Sequence, residues 1–206
     1  ILGFVRDMVL ARLFGATPAA DAFFVAYRIP NLLRELFAEG SMSAAFIPVF
    51  TEYHTLKTKR DAWELASATF TTLLTIVTAV TLLGILAAPG IVWLLAPGFR
   101  GSPDKLALTT LLTQMMFPYL IFISLAALAM GILNSLRAFA APAFSPVFFN
   151  IFTIACMMFL SPWLPEPIIG VAIGIVVGGV AQFAMQLPGL KGRGMLFGLR
   201  FQPGHP

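Results

Sequence analysis

Four stretches of this chain run without a single charged residue: 65–99, 106–136, 138–165 and 167–190, which are 35, 31, 28 and 24 residues long. Each exceeds the roughly 20 apolar residues that cross a hydrocarbon layer as helix. A water-soluble domain has no use for four of them. The whole chain of 206 residues is 59% hydrophobic and 11% charged, against about 25% charged in ordinary soluble domains. A polytopic all-α membrane protein is therefore the expected class, and the length leaves no room for a sizeable soluble domain. Cys156 is the sole cysteine, which excludes an internal disulfide and a thiolate metal cluster. The net charge of +4 argues for no nucleic-acid partner, because the basic residues are spread through helices and turns instead of forming a patch.

Punctuation by proline, glycine and polar turns predicts a bundle of six transmembrane helices over about 1–14, 21–53, 63–88, 106–136, 142–160 and 167–187. The first opens in mid-pattern at Ile1 and is expected to be truncated. Residues 1–188 are read as the bundle and 189–206 as a cytoplasmic linker. Counting Lys and Arg in alternate loops gives Lys57, Lys59, Arg60, Arg137, Lys191, Arg193 and Arg200 on one side and only Arg100 and Lys105 on the other. By the positive-inside rule the first set faces the cytoplasm, with both ends of the chain. Gly170, Gly174 and Gly178 share one helix face and predict close helix packing. Pro118 and Pro146 are expected to kink their helices.

The informative residues lie in the first forty, where Arg6, Asp7, Arg12, Asp21, Arg28, Arg34, Glu35 and Glu39 interrupt apolar helix. A charge at mid-membrane costs about 2.5–3.5 kcal/mol on insertion scales, so such residues face a protein interior or a wet cavity, or reach out from helix ends. At 100° per residue Asp21, Arg28, Glu35 and Glu39 fall within about 40° of one another, an alternating stripe able to neutralise itself. Arg34 points elsewhere, toward the side of Asn31. Arg6 and Arg34 have no opposite charge one turn away, which leaves an ion pair with another helix, an anchoring role at the membrane surface, or anion binding. Guanidinium suits the last, since it stays charged and presents a planar fork to phosphate or carboxylate. An apolar wall with a few buried arginines describes a site for a lipid with an anionic head group.

Signals for catalysis and cofactors are missing. His54 and His205 sit in polar segments without motif partners, and the sequence carries no phosphate-binding glycine loop, metal-ligand cluster or nucleophile elbow. A transporter without a cofactor is expected, not an enzyme.

The segments ILGFVRD (1–7), ARLFG (11–15), DAFFVA (21–26), PNLLR (30–34), FAEG (37–40) and AFIP (45–48) closely resemble the opening of the MurJ/MviN family, and APGF (96–99), FPY (117–119), GILN (131–134), PAFSP (142–146) and QLP (186–188) follow in family order. The resemblance implies a lipid II flippase of bacterial peptidoglycan synthesis in the cytoplasmic (inner) membrane. Its superfamily exports drugs and lipid-linked oligosaccharides by alternating access between two six-helix bundles, of which this chain would be the first. Residue by residue it implies that Arg6 and Asp7 match the family's cavity arginine and its acidic neighbour. Asp21 matches the Asp that opens the second helix, and Asn31 and Arg34 match the polar positions of PNLLR. Arg12, Arg28, Glu35 and Glu39 are left as a further cavity or ion-pair network, with Glu35 standing where some relatives carry a base. Implied partners are lipid II, membrane lipids and other cell-wall synthesis proteins. The rival readings are an exporter of another cargo, for which a cation would require unpaired acids, and a scaffold for cell-wall enzymes that transports nothing.

Overall fold

Helix boundaries follow local chemistry. The computed structural model describes residues 1–36 and 42–198, with no strand among them. Helix α1 (Leu2–Phe14) ends where Gly15 adopts a φ of +53°, a conformation that favours glycine. Helix α2 (Pro18–Arg34) starts at Thr17, whose hydroxyl accepts the Ala20 N–H at 3.3 Å, with proline in the first turn where no N–H is needed. The single helix expected over 21–53 is described as two, α2 and α3 (Met42–Leu56). Glu39 falls between them, outside the described residues.

Helix α4 (Lys59–Leu95) is 37 residues long, longer at both ends than the expected 63–88. It begins at a reciprocal cap, in which the Asp61 N–H donates to the Thr58 hydroxyl at 3.2 Å and the Thr58 N–H donates to the Asp61 carboxylate at 3.0 Å. At its other end it continues through Pro89. A proline frees the carbonyl four residues earlier, here that of Ile85, and Gln114 Nε2 donates to it at 3.1 Å from the neighbouring α5 (Pro103–Met116). A borrowed donor thus lets the helix pass a residue that the sequence reading took as its end.

Helix α5 runs on through Phe117 and Pro118 into α6 (Tyr119–Ser135), the most buried element. Phe117 is fully buried against α4, where a Cβ at Gly84 would collide with its ring. Helices α2, α3 and α4 pack around the α5–α6 path. Helix α7 (Ala140–Ala155) meets its own proline in the same way: the Ser145 hydroxyl donates at 3.0 Å to the Pro142 carbonyl that Pro146 frees. It continues into a π-turn at Cys156–Leu160. Helix α8 (Ile168–Ala184) packs against both α6 and α7, and α9 (Leu187–Gly192) closes the described helices.

The glycine face of α8 packs as its spacing implies. A Cβ at Gly178 would stand 2.8 Å from the Phe149 carbonyl oxygen, one at Gly174 would stand 3.1 Å from the Thr153 carbonyl oxygen, and one at Gly170 would meet Ser161. The buried Thr153 hydroxyl donates to Phe149 O at 2.8 Å and lies 3.1 Å from Gly174 O, a polar clasp that the close approach makes possible.

Among the described residues four helical paths are long and apolar enough to cross a membrane: Lys59–Leu95, Pro103–Ser135, Ala140–Trp163 and Ile168–Gly192. These carry the charge-free runs. Helices α1 and α2, at 13 and 17 residues and with charges inside, fall short of that measure. The outer face of α4 exposes Leu82, Leu83, Leu86 and Leu94, an apolar surface suited to lipid. The segment expected to be a linker begins by docking on the bundle. Trp63 Nε1 donates to the Leu196 carbonyl at 2.7 Å, the Gly198 N–H donates to the Ser67 hydroxyl at 3.2 Å, and Phe197 stacks on Phe70 with ring centroids 4.4 Å apart.

Two outcomes follow for thermal unfolding of purified protein. Gly178→Ala lowers stability by about 1–3 kcal/mol through overpacking, whereas Gly90→Ala, with nothing within 4 Å of the new methyl, leaves it unchanged or raises it. Gln114→Leu costs about 1–3 kcal/mol by leaving Ile85 O without a donor. In a Pro89→Ala background, where the backbone N–H returns, most of that cost disappears.

Candidate functional site

Helices α1, α2, α7 and α8 meet around a cavity of about 50 Å³, with Arg6 and Asp7 from α1, Phe23 and Tyr27 from α2, Thr153 from α7 and Ile175 from α8 among its walls. The Arg6 side chain is 23% exposed. Its Nε and Nη2 donate to a single oxygen of Asp7, at 3.0 and 2.9 Å, and its guanidinium carbon lies 5.8 Å from the Phe149 ring centroid. Consecutive residues on a helix point about 100° apart. The flexible arginine stem folds across to its sequence neighbour.

Arg34, at the end of α2, is held in the same manner. Its Nε donates to Asn31 Oδ1 at 3.0 Å, its Nη2 lies 3.9 Å from Glu35 Oε1, and Asn31 Nδ2 donates to that same oxygen at 3.3 Å. The last turn of a helix also suits a cation, because unpaired carbonyls gather there.

Aromatic side chains surround the Arg6 cavity. Tyr27 is half-buried among the walls of the Arg6 cavity, and Tyr119, buried at the start of α6, lies with its ring centroid 5.7 Å from that of Phe149. Tyr27 stacks on Phe23 with parallel rings 5.8 Å apart. The reading of charges alone passed over Tyr27. The available signal was its position seven residues before Arg34 and four before Asn31, which puts all three within about 60° on an ideal helix.

The remaining charges separate. Asp21 pairs with Lys105 of α5 at 2.8 Å, and that ammonium sits 4.1 Å from the Phe99 ring centroid. Arg12 and Arg28 are exposed and make no ion pair among the described residues. The alternating stripe on α2 therefore does not close on itself. Asp21 finds a cation on another helix, and Glu35 turns to Arg34 and Asn31, because ion pairing rewards real proximity over a shared helix face. Among the described residues no group of histidine, cysteine and carboxylates has the makings of a metal site.

A family model described as lipid II flippase MurJ matches residues 10–205. The chain belongs to the MurJ family. It is 41% identical over 191 residues to the lipid II flippase MurJ of Burkholderia cenocepacia, an alignment covering 93% of this chain and 37% of that protein. It is 46% identical over 203 residues to the "probable lipid II flippase MurJ" of Vibrio cholerae, covering 95% of this chain and 39% of that one. A solved structure of lipid II flippase MurJ in an inward closed conformation superposes with a TM-score of 0.67 at 28% identity, over 89% of this chain and 39% of the other. The chain thus spans just under two fifths of these curated MurJ proteins, and the likeness confirms an all-helical membrane transporter fold.

The Asp21–Lys105 pair joins α2 to α5 with a partly exposed carboxylate, so its coupling in a double-mutant cycle is about 0.2–1 kcal/mol. Asp21→Lys alone lowers the melting temperature, and combination with Lys105→Asp recovers most of the loss.

Proposed function

We propose that this chain forms the first bundle of a lipid II flippase, which moves the undecaprenyl-pyrophosphate-linked peptidoglycan precursor from the cytoplasmic to the outer leaflet by alternating access. The observation that carries the reading is a partly buried guanidinium, Arg6, on the wall of a largely apolar cavity, with a second, Arg34, at the end of one of the helices that line it. Two fixed cations in a region of low dielectric attract a pyrophosphate far more strongly than they would in water.

The pair with Asp7 leaves the Arg6 guanidinium room to bind. Arginine has five N–H donors, and Asp7 takes only two of those on Arg6. The arriving phosphate meets the rest, while Asp7 and Asn31 fix the side chains in advance and so reduce the entropy lost on binding. Rocking of this bundle against a second one then exposes the head group on the other side. No bond is made or broken, and no cofactor takes part. Asp21 tethers α2 to α5 in this scheme, and Arg12, Arg28 and Glu35 set the field around the cavity. The surplus of Lys and Arg in one set of loops supports placing both ends of the chain at the cytoplasmic face of the inner membrane.

The test is rescue of flippase-depleted cells by the full-length protein. Arg6→Ala and Arg34→Ala, expressed at normal level, fail to restore growth, and normal growth with either one removes the site. Arg6→Lys restores little, because an ammonium keeps the charge and loses the fork; full rescue by lysine makes charge alone sufficient.

A further inference from the structure

Helices α4 and α5 do not close fully on each other. Between them lies a groove of about 620 Å³, with Pro89 and Gly90 on one wall, Pro103 and Leu106 on the other, Trp93 at the mouth and Gln114 at the far end. It shares no residue with the Arg6 cavity. A methyl added at Gly90 would meet nothing within 4 Å, so this glycine leaves the space open. Two polar side chains reach the walls, and both are engaged with backbone: the Thr110 hydroxyl donates to Leu106 O at 2.9 Å, and Gln114 Nε2 donates to Ile85 O at 3.1 Å. The surface left for an occupant is hydrocarbon.

The length of the groove says which kind. Both of its walls belong to helical paths long and apolar enough to cross a membrane. From Pro103 to Gln114 it follows α5 for roughly 16 Å at 1.5 Å per residue, about half the hydrocarbon thickness of a bilayer. A spanning helix from another polypeptide would cross both halves, whereas a groove one leaflet deep fits a lipid chain.

The mouth carries charge. The Arg100 guanidinium carbon lies 3.7 Å from the Trp93 ring centroid, and Nε and Nη2 donate to Trp93 O at 3.3 and 3.1 Å. Tryptophan favours the boundary between membrane and water, which sets Arg100 at head-group depth. Asp104 follows Pro103 in the opening turn of α5. Lys105 turns away to Asp21 at 2.8 Å, while Arg100 and Asp104 make no ion pair among the described residues, with each other or with another side chain. One cation and one anion therefore stand at the open end of an apolar groove.

We propose that this groove holds one phospholipid with an ethanolamine head group, its fatty chain lying along α5 toward Gln114, its phosphate on Arg100 and its ammonium on Asp104. An ammonium presents three N–H donors to a carboxylate. A choline head group has its nitrogen fully methylated and lacks them, and a glycerol head group brings no cation to Asp104.

The test is native mass spectrometry of the full-length protein with dioleoyl phosphatidylethanolamine, phosphatidylcholine and phosphatidylglycerol added in turn. Wild type holds the ethanolamine lipid about three- to fivefold more tightly than the other two, the worth of one partly exposed ion pair. Asp104→Asn abolishes that preference, and Arg100→Ala weakens retention of all three. Gly90→Leu fills the groove and removes the most tightly held lipid without lowering the melting temperature. Equal retention of the three lipids by wild type, or a preference that survives Asp104→Asn, overturns the head-group assignment. Lipid retention by Gly90→Leu equal to that of wild type overturns the groove as the site, and a change of oligomeric state alongside it assigns the groove to contact between copies of the protein instead.

Discussion

Inside a hydrocarbon layer there is no water to satisfy a stray carbonyl, so every backbone group must find a partner within the protein. This bundle is arranged around that demand. Helix α4 passes Pro89 only because Gln114 on α5 serves Ile85 O, and α7 passes Pro146 because Ser145 turns back to Pro142 O. Thr153 clasps α7 to α8, and the buried Gln186 donates to Ala126 O at 3.1 Å, fixing the end of α8 to α6. These side chains are polar residues spent on main-chain oxygens. They join neighbouring helices at defined heights, which apolar packing alone does far less sharply.

The same scarcity of partners explains the site. Arg6 and Arg34 are too costly to leave alone among apolar side chains, so each is held by groups a few atoms away on its own helix: Asp7 for one, Asn31 and Glu35 for the other. Such short-range pairing lowers the cost of each cation without joining the two together. The Arg6 guanidinium keeps donors that Asp7 does not take, at the wall of a largely apolar cavity. The site is polar at a few points and apolar elsewhere, the pattern expected of a surface that takes a charged head on a long hydrocarbon.

Much of the fold was legible because the controlling variable was simple. Charge-free runs mark the four longest helical paths, and the four-residue glycine period marks the α7–α8 seam, both readable without tertiary knowledge. The errors came where a distant residue decided the outcome. Pro89 reads as a helix end until Gln114 is known to stand opposite it, and Asp21 reads as a member of a helical stripe until Lys105 comes within 2.8 Å. At the site, the sequence brought Arg6, Asn31 and Arg34 into view through their charge or polarity. It did not single out Tyr27, an uncharged residue that reaches the Arg6 cavity only because α2 meets α1, α7 and α8 there.

The docking of residues 195–198 on α4 gives the chain's exit a mechanical character. Two hydrogen bonds and a stacked ring pair hold Leu196, Phe197 and Gly198 to Trp63, Ser67 and Phe70, all within the first turns of a rigid rod of 37 residues. Such a clamp fixes the point on α4 at which the described chain ends its contacts. A pull on it reaches α4 as torque near one end of the rod, instead of being lost in slack chain. That end lies far along the rod from Gly84, where the ring of Phe117 seats, and that seat is the natural fulcrum.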